Sequence, residues 1–284
     1  MLNVLSAIEL SKDYLEKKGI EEARINADLL LADILNCKRM DLYLKFDQPL
    51  AKDEIDKYRD YIARRGKGEP LQYIVGEVEF YGLMFKVNPN VLIPRPETEL
   101  LVENIITNTN GQQNLRILDV GSGSGNIIIA LVKNIDNTEG VSIDINEKAI
   151  EVAKENSLAQ NLETRITFLT KDILKSDLDV LGKFDVIVSN PPYVSDEEYK
   201  TLQKEITNHE PKNALTDFAN GFTFYDKISV EAKDLLNPKG KLYFEVGIGQ
   251  SEKVKEIMLK NNFANIEIVK DYASIDRIVY GELE

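Results

Sequence analysis

The stretch FDVIVSNPPYV places Asn190, Pro191, Pro192 and Tyr193 directly after an apolar run. Proline donates no N–H and fixes φ, so the carbonyls of this tetrapeptide are free and rigidly aimed. The Asn190 side-chain oxygen and the Pro191 carbonyl could accept both protons of a planar NH₂ group. Such a nitrogen is a poor nucleophile because its lone pair is delocalised. Two acceptors at the right angles favour partial pyramidalisation and aim the lone pair at an electrophile. Tyr193 offers an aromatic face to hold a flat substrate. The plainer alternative is a strand ended by two prolines with a tyrosine packed behind them.

Upstream, ILDVGSGSGNIIIALV sets a buried strand, a glycine turn and a helix in succession. Gly121, Gly123 and Gly125 allow a tight turn and a close approach to a ligand. A dinucleotide fingerprint would read G-x-G-x-x-G, but here the third glycine comes one residue early and position 126 is Asn. Asp144 ends the next strand, where a carboxylate accepts hydrogen bonds from ribose hydroxyls. Asp119 adds a second carboxylate just before the turn, and Asp172 lies where it could meet an adenine amino group. Carboxylates attract a cationic ligand and repel a pyrophosphate. A cationic nucleoside is therefore favoured, and S-adenosylmethionine fits.

The chain has 284 residues, of which 43% are hydrophobic and 29% charged, an ordinary globular composition for one large domain or two unequal ones. Lys and Arg number 35 against 48 Asp and Glu, a net charge of −13. That charge repels phosphate backbones and argues against nucleic acid as partner. Cys37 and His209 are the sole cysteine and histidine. No intrachain disulfide and no His/Cys zinc site can form, and a reducing, cytoplasmic setting is expected. No apolar run approaches membrane-span length, and the N-terminus lacks the pattern of a signal peptide.

The elements that must position these residues fall into two regimes. Over the first seventy or so residues, Val4, Leu5, Ile8 and Leu15, then Ala27, Leu30, Leu31 and Ile34, then Ile55, Tyr58 and Ile62 recur at helical spacing, with Gly66 ending the last helix. A β-hairpin is read around Gly76 and Gly82. From about residue 93, apolar runs at Arg116–Val120, Gly140–Ile145, Ile166–Leu169, Phe184–Ser189 and Lys241–Val246 alternate with helical patterns such as Ala149–Leu158 and Glu252–Lys260. That alternation reads as a mainly parallel sheet covered on both faces. A terminal antiparallel hairpin follows. The expected division is a helical domain over 1–72, a hairpin linker over 73–92 and a nucleoside-binding α/β domain over 93–284. Cys37 reads as a small buried hydrophobe, His209 as a partly exposed loop residue, and DEEYK at Asp196–Lys200 as a solvated helix start.

The NPPY and GSGSG motifs resemble those of class I S-adenosylmethionine-dependent methyltransferases acting on exocyclic or amide nitrogens. With LIPRPETELLVE at Leu92–Glu103, GEPLQYIVGEVEFYG at Gly68–Gly82, EPKNAL at Glu210–Leu215 and FEVGIGQ at Phe244–Gln250, the chain is similar to the protein-glutamine methyltransferases that modify peptide chain release factors, the PrmC/HemK family. The resemblance implies an α/β, Rossmann-like fold with a mostly parallel seven-stranded sheet, a terminal antiparallel hairpin and a small N-terminal helical domain that docks the substrate. It implies methylation of the glutamine amide nitrogen in the Gly-Gly-Gln loop of class 1 release factors, without a metal and with S-adenosylhomocysteine as product. It places Asp119, Gly121, Ser122, Gly123, Ser124, Gly125, Asp144, Asp172, Ile173 and Asn190 at the cofactor, and Asn190, Pro191, Pro192 and Tyr193 at the substrate, with Asn190, Pro191 and Tyr193 catalytic. Ile173 stands where some members carry an aromatic residue. Arg95 and Glu97 fall near the pocket mouth, where a structural salt bridge is one reading. A monomer is expected. The rival reading is an N-methyltransferase of DNA or RNA exocyclic amines.

Overall fold

A computed structural model describes residues 2–176 and 178–284. In chain order the helices are α1 (Val4–Lys17), α2 (Ala23–Ile34), α3 (Lys52–Arg65), α4 (Leu71–Val75), α5 (Pro96–Asn108), α6 (Asn126–Asn134), α7 (Glu147–Ala159), α8 (Asp196–Tyr199), α9 (Lys204–His209), α10 (Thr223–Leu235) and α11 (Ser251–Lys260). The strands are β1 (Glu77–Phe80), β2 (Leu83–Lys86), β3 (Arg116–Val120), β4 (Glu139–Asp144), β5 (Ile166–Thr170), β6 (Phe184–Ser189), β7 (Leu236–Glu245), β8 (Phe263–Lys270) and β9 (Asp276–Leu283). They form two compact units. One holds the chain up to Glu77 together with Gln203–His209, and the other holds Val78–Leu202 with Glu210–Glu284.

The first unit is helical. Asn3 starts α1 by accepting from the Ser6 amide at 2.9 Å, and Glu54 caps α3 through the Ala51 amide at 2.7 Å. The apolar faces of α1, α2 and α3 meet in one core containing Ile8, Leu15, Leu30, Leu31, Tyr58 and Ile62. Tyr58 donates to the Ala27 carbonyl at 3.0 Å, so its buried hydroxyl is satisfied. Arg65 joins α9 to this unit through Glu205 at 2.8 Å. His209 therefore ends a helix rather than sitting in a loop, and Cys37 is half-buried against the helical core instead of within it.

The second unit carries a seven-stranded sheet in the order β5-β4-β3-β6-β7-β9-β8. β3 to β7 run parallel, and β9 pairs antiparallel with both β7 and β8. Successive strand residues alternate between two cores. Ile117 and Val186 face the cluster built with α5, α6 and α7, whereas Leu118 and Ile187 face the one built with α10 and α11. β7 begins at Leu236, ahead of the apolar run at Lys241. A register shift between Phe184 and Val186 lets the polar stretch join the ladder, and Asn237 secures it by donating to Asp185 at 2.7 Å. β1 and β2 form a hairpin turning at Tyr81 and Gly82, both at positive φ.

Helix α6 packs closely against the sheet at Gly140 of β4. A Cβ there would lie 2.7 Å from Ile128 Cγ1 and 3.2 Å from Val132 Cγ2, both on α6. Gly140→Ala is expected to destabilise the protein by about 1–3 kcal/mol through overpacking, read as a lower midpoint in thermal melting. An unchanged midpoint would mean α6 yields without cost.

Candidate active site

The strand order reverses between β3 and β6, and a cavity of about 310 Å³ opens at the carboxyl ends of β3, β4 and β6. Two turns build its floor. After β3, Gly121, Gly123 and Gly125 all take positive φ, which a residue with a side chain adopts at a cost. Gly125 also lets α6 approach α7, since a Cβ there would lie 3.1 Å from that of Ala153. After β6, Asn190, Pro191 and Pro192 enter the wall. Parallel pairing of Asp119 with Val188, and a 2.6 Å bond from Ser189 Oγ to the Val120 carbonyl, hold the two turns side by side.

Asp144 lies on the wall with both carboxylate oxygens engaged. Oδ2 accepts from the Gly123 amide at 3.0 Å and Oδ1 from the Asn146 amide at 2.8 Å. Burial pushes its pKa up, while the amides of Asn146, Gly123 and Ile145 work to keep the charge. Two amide donors leave a carboxylate with lone pairs to spare for hydroxyl groups. Asp172 and Ile173 are also on the wall; Asp172 accepts from the Leu174 amide at 2.9 Å and pairs with Lys175 at 3.1 Å.

Of the residues assigned to the cofactor, Gly121, Ser122, Gly123, Asp144, Asp172, Ile173 and Asn190 line the cavity. Asp119, Ser124 and Gly125 lie behind it. Asp119 is completely buried, and its Oδ2 accepts from Ser142 at 2.7 Å; the Ser142 hydroxyl lies 2.6 Å from that of Ser122. The carboxylate thus props the glycine turn from beneath. The Ser124 carbonyl accepts from Asn156 at 2.8 Å. Tyr193 is likewise behind the wall: its ring packs on the core beside Gly247, and its carbonyl accepts from Gln250 at 2.9 Å. Burial pushes its hydroxyl up to about 12.

Other wall residues carry no motif of the glycine-turn kind. Asn90 to Leu92 and Pro94 to Arg95 reach the cavity, with the Asn90 carbonyl held by Asn146 Nδ2 at 3.0 Å. Arg95 pairs with buried Glu210 at 2.6 and 2.8 Å, not with Glu97, which joins the family-like PRPE and EPKNAL stretches. Thr216, Asp217 and Phe218 close another side. Asp217 braces that loop: although burial raises its pKa, bonds from Thr223, Ala219 and Gly221 hold it below the usual carboxylate range. Phe218 is 59% exposed at the cavity with φ 59°, an uncommon conformation for a bulky side chain.

Asp119 is pushed up to about 7, by burial first and by Asp144 besides, and its Oδ1 has no partner. A carboxyl raised in the folded state and ordinary in the unfolded one contributes stability below its unfolded pKa and loses it as pH rises toward the folded value. Asp119→Asn is therefore expected to raise the melting midpoint relative to wild type at about pH 8 and to change it little at about pH 5. An equal shift at both values would place the charge elsewhere.

Residues 6–76 match a family model described as the PrmC N-terminal domain, and residues 112–279 match a methyltransferase domain model. The chain is 41% identical over 279 residues to the release factor glutamine methyltransferase of Fusobacterium nucleatum, across 98% of this chain and 78% of that one. It is 38% identical over 284 residues to the enzyme of the same name from Chlorobaculum tepidum, across 96% of each. A methyltransferase structure from Pyrococcus furiosus is similar in fold, with a TM-score of 0.51 at 21% identity over 72% of this chain and 90% of that one. Matched along nearly its whole length by such relatives, the chain belongs to the release factor glutamine methyltransferase family.

Proposed function

We infer that this protein transfers a methyl group from S-adenosylmethionine to the side-chain amide nitrogen of glutamine in a peptide chain release factor, at the Gly-Gly-Gln loop. The observation that carries this reading is one cavity walled both by the glycine turn with Asp144 and by Asn190 with Pro191.

The residues present fit the cofactor. A Cβ at Gly123 would meet nothing within 4 Å, so the turn leaves open space for a ligand, and Asp144 offers a carboxylate to ribose hydroxyls. The volume sits near the low end, about 300 Å³, of small-molecule pockets. Asp172 and Ile173 would flank the adenine. When bound, S-adenosylmethionine supplies an electrophilic methyl group on a sulfonium. Asn190 Oδ1 and the Pro191 carbonyl accept the two protons of the glutamine NH₂, which weakens delocalisation and turns the nitrogen lone pair toward the methyl. Orientation by these fixed acceptors is the enzyme's main contribution. The nitrogen becomes acidic only after it has formed its new bond to carbon, and its proton then passes to water. His209 is not needed as a base. Tyr193 holds the Asn190 turn from behind, through its packed ring and its Gln250 bond. The helical unit is the docking element for the release factor, and the exposed Met40, Tyr43 and Leu44 give it an apolar patch for that purpose.

A base-directed N-methyltransferase would share the tetrapeptide logic, but the net charge of −13 opposes a phosphate backbone.

Asn190→Ala is expected to lower turnover on a release factor by about 100-fold or more, with cofactor affinity largely kept. Full turnover in that variant would overturn the reading. Asp144→Ala is expected to weaken cofactor binding by about 10- to 100-fold in calorimetry, the loss of a charged hydrogen-bond acceptor. Unaltered affinity would remove the ribose contact.

A further inference from the structure

Glu245 ends β7, the strand beside β6, where Phe244 pairs with Ser189 in parallel register. That register sets Glu245 next to Asn190 at the edge of the cavity floor. Glu245 is 5% exposed, and its Oε2 has no hydrogen-bond partner. Thr98 of α5, only 2% exposed, accepts from Asn190 Nδ2 through its hydroxyl oxygen at 3.3 Å. A hydroxyl that accepts from an amide still has its own proton to give. Thr98 and Asn190 lie near enough to the Glu245 carboxyl to favour its charged form. The three side chains therefore form one buried cluster, in which Asn190 donates to Thr98 beside the Glu245 carboxyl.

We propose that Glu245 is a positioning residue which, through Thr98, fixes the orientation of the Asn190 amide so that Oδ1 faces the substrate nitrogen. The inference rests on the reading of Asn190 as acceptor for the glutamine NH₂. A buried carboxylate tolerates donors and repels oxygens, so it draws Nδ2 to the back of the site. The opposite amide orientation would aim N–H groups at a substrate that itself has only N–H groups to offer there. The FEVGIGQ stretch thereby gains a shared task. Glu245 sets the Asn190 side chain, while Gln250 holds the Tyr193 carbonyl at 2.9 Å and takes the Gly247 amide at 3.1 Å.

Protonation should undo this arrangement. Burial pushes the Glu245 carboxyl up to about 7, against the pull of Thr98, Arg277 and Asn190, with Glu97 pushing the same way as burial. The groups that face it are Glu97 and Thr98 from α5, Arg277 from β9, Tyr193 from the Asn190 turn and Tyr225 from α10, whose hydroxyl donates to the Glu245 carbonyl at 3.0 Å. Arg277 is committed to Asp271 at 2.9 Å. A protonated Glu245 donates to Thr98, Thr98 then donates to the amide oxygen, and Asn190 turns Nδ2 toward the cavity. Turnover of the wild type accordingly falls as pH drops through about 7.

The test is kcat and KM for methyl transfer to a release factor, from about pH 6 to about pH 8, for wild type, Glu245→Gln, Thr98→Val and Thr98→Ser. Glu245→Gln and Thr98→Val are expected to lose about tenfold or more in kcat at the upper pH and to lose the pH-dependent limb, with KM and cofactor affinity within about twofold. Thr98→Ser, which keeps the hydroxyl, retains both rate and limb. Full kcat in Glu245→Gln or a surviving limb in Thr98→Val would overturn the proposal. If Glu245→Gln fails to fold, the two Thr98 variants decide the matter. A wild type that labels no glutamine would instead strike the assigned reaction.

Discussion

Parallel pairing of β3 with β6 is the interaction on which the catalytic unit depends. It joins the two strands at the reversal of the sheet order, and the Ser189 hydroxyl locks their ends together at 2.6 Å. The glycine turn and the Asn190 turn become neighbours for this reason alone; in the chain they are far apart. Slipping the register by one residue would reverse which side chains face each core and pull the turns out of step. Ladder bonds, alternating cores and two tight turns therefore serve a single end. They bring the glycine turn, Asp144 and the Asn190 turn into the wall of one cavity.

Buried carboxylates brace that cavity at the expense of stability. Asp119 supports the glycine turn through Ser142, and Glu245 stands behind Asn190; each has one oxygen without a partner and is pushed up to about 7. An apolar residue at either position would be easier to bury. Their cost is consistent with strain held at a working site. Asp144 differs, because two backbone amides donate to its carboxylate at the cavity wall.

The glycine turn, Asp144 and the NPPY tetrapeptide were legible because each forces its local geometry: positive φ, a strand-end carboxylate, and prolines without donors. The parallel strands were legible as apolar runs, apart from the start of β7, where Asn237 and Lys239 conceal a strand that enters the sheet through a register shift. Side chains that act at long sequence separation were not. Glu245 and Thr98 come beside Asn190 by virtue of strand order and helix packing, and the Arg95–Glu210 pair spans two stretches that only the fold joins. Phe218 carries no signal at all, since its position on the wall follows from how Asp217 bends its loop. Tyr193 shows the converse: its residue type pointed to a substrate contact, and its partly buried ring also packs against the core.

The assigned reaction turns on which nitrogen receives the methyl group. Labelled S-adenosylmethionine should be incubated with the enzyme and a purified release factor, beside the same factor carrying Gln→Ala in its Gly-Gly-Gln loop. Label on the first and none on the second is the expected result. Equal label on both, or none on either from cofactor-bound enzyme, would contradict the assignment of Asn190 and Pro191 to a glutamine amide.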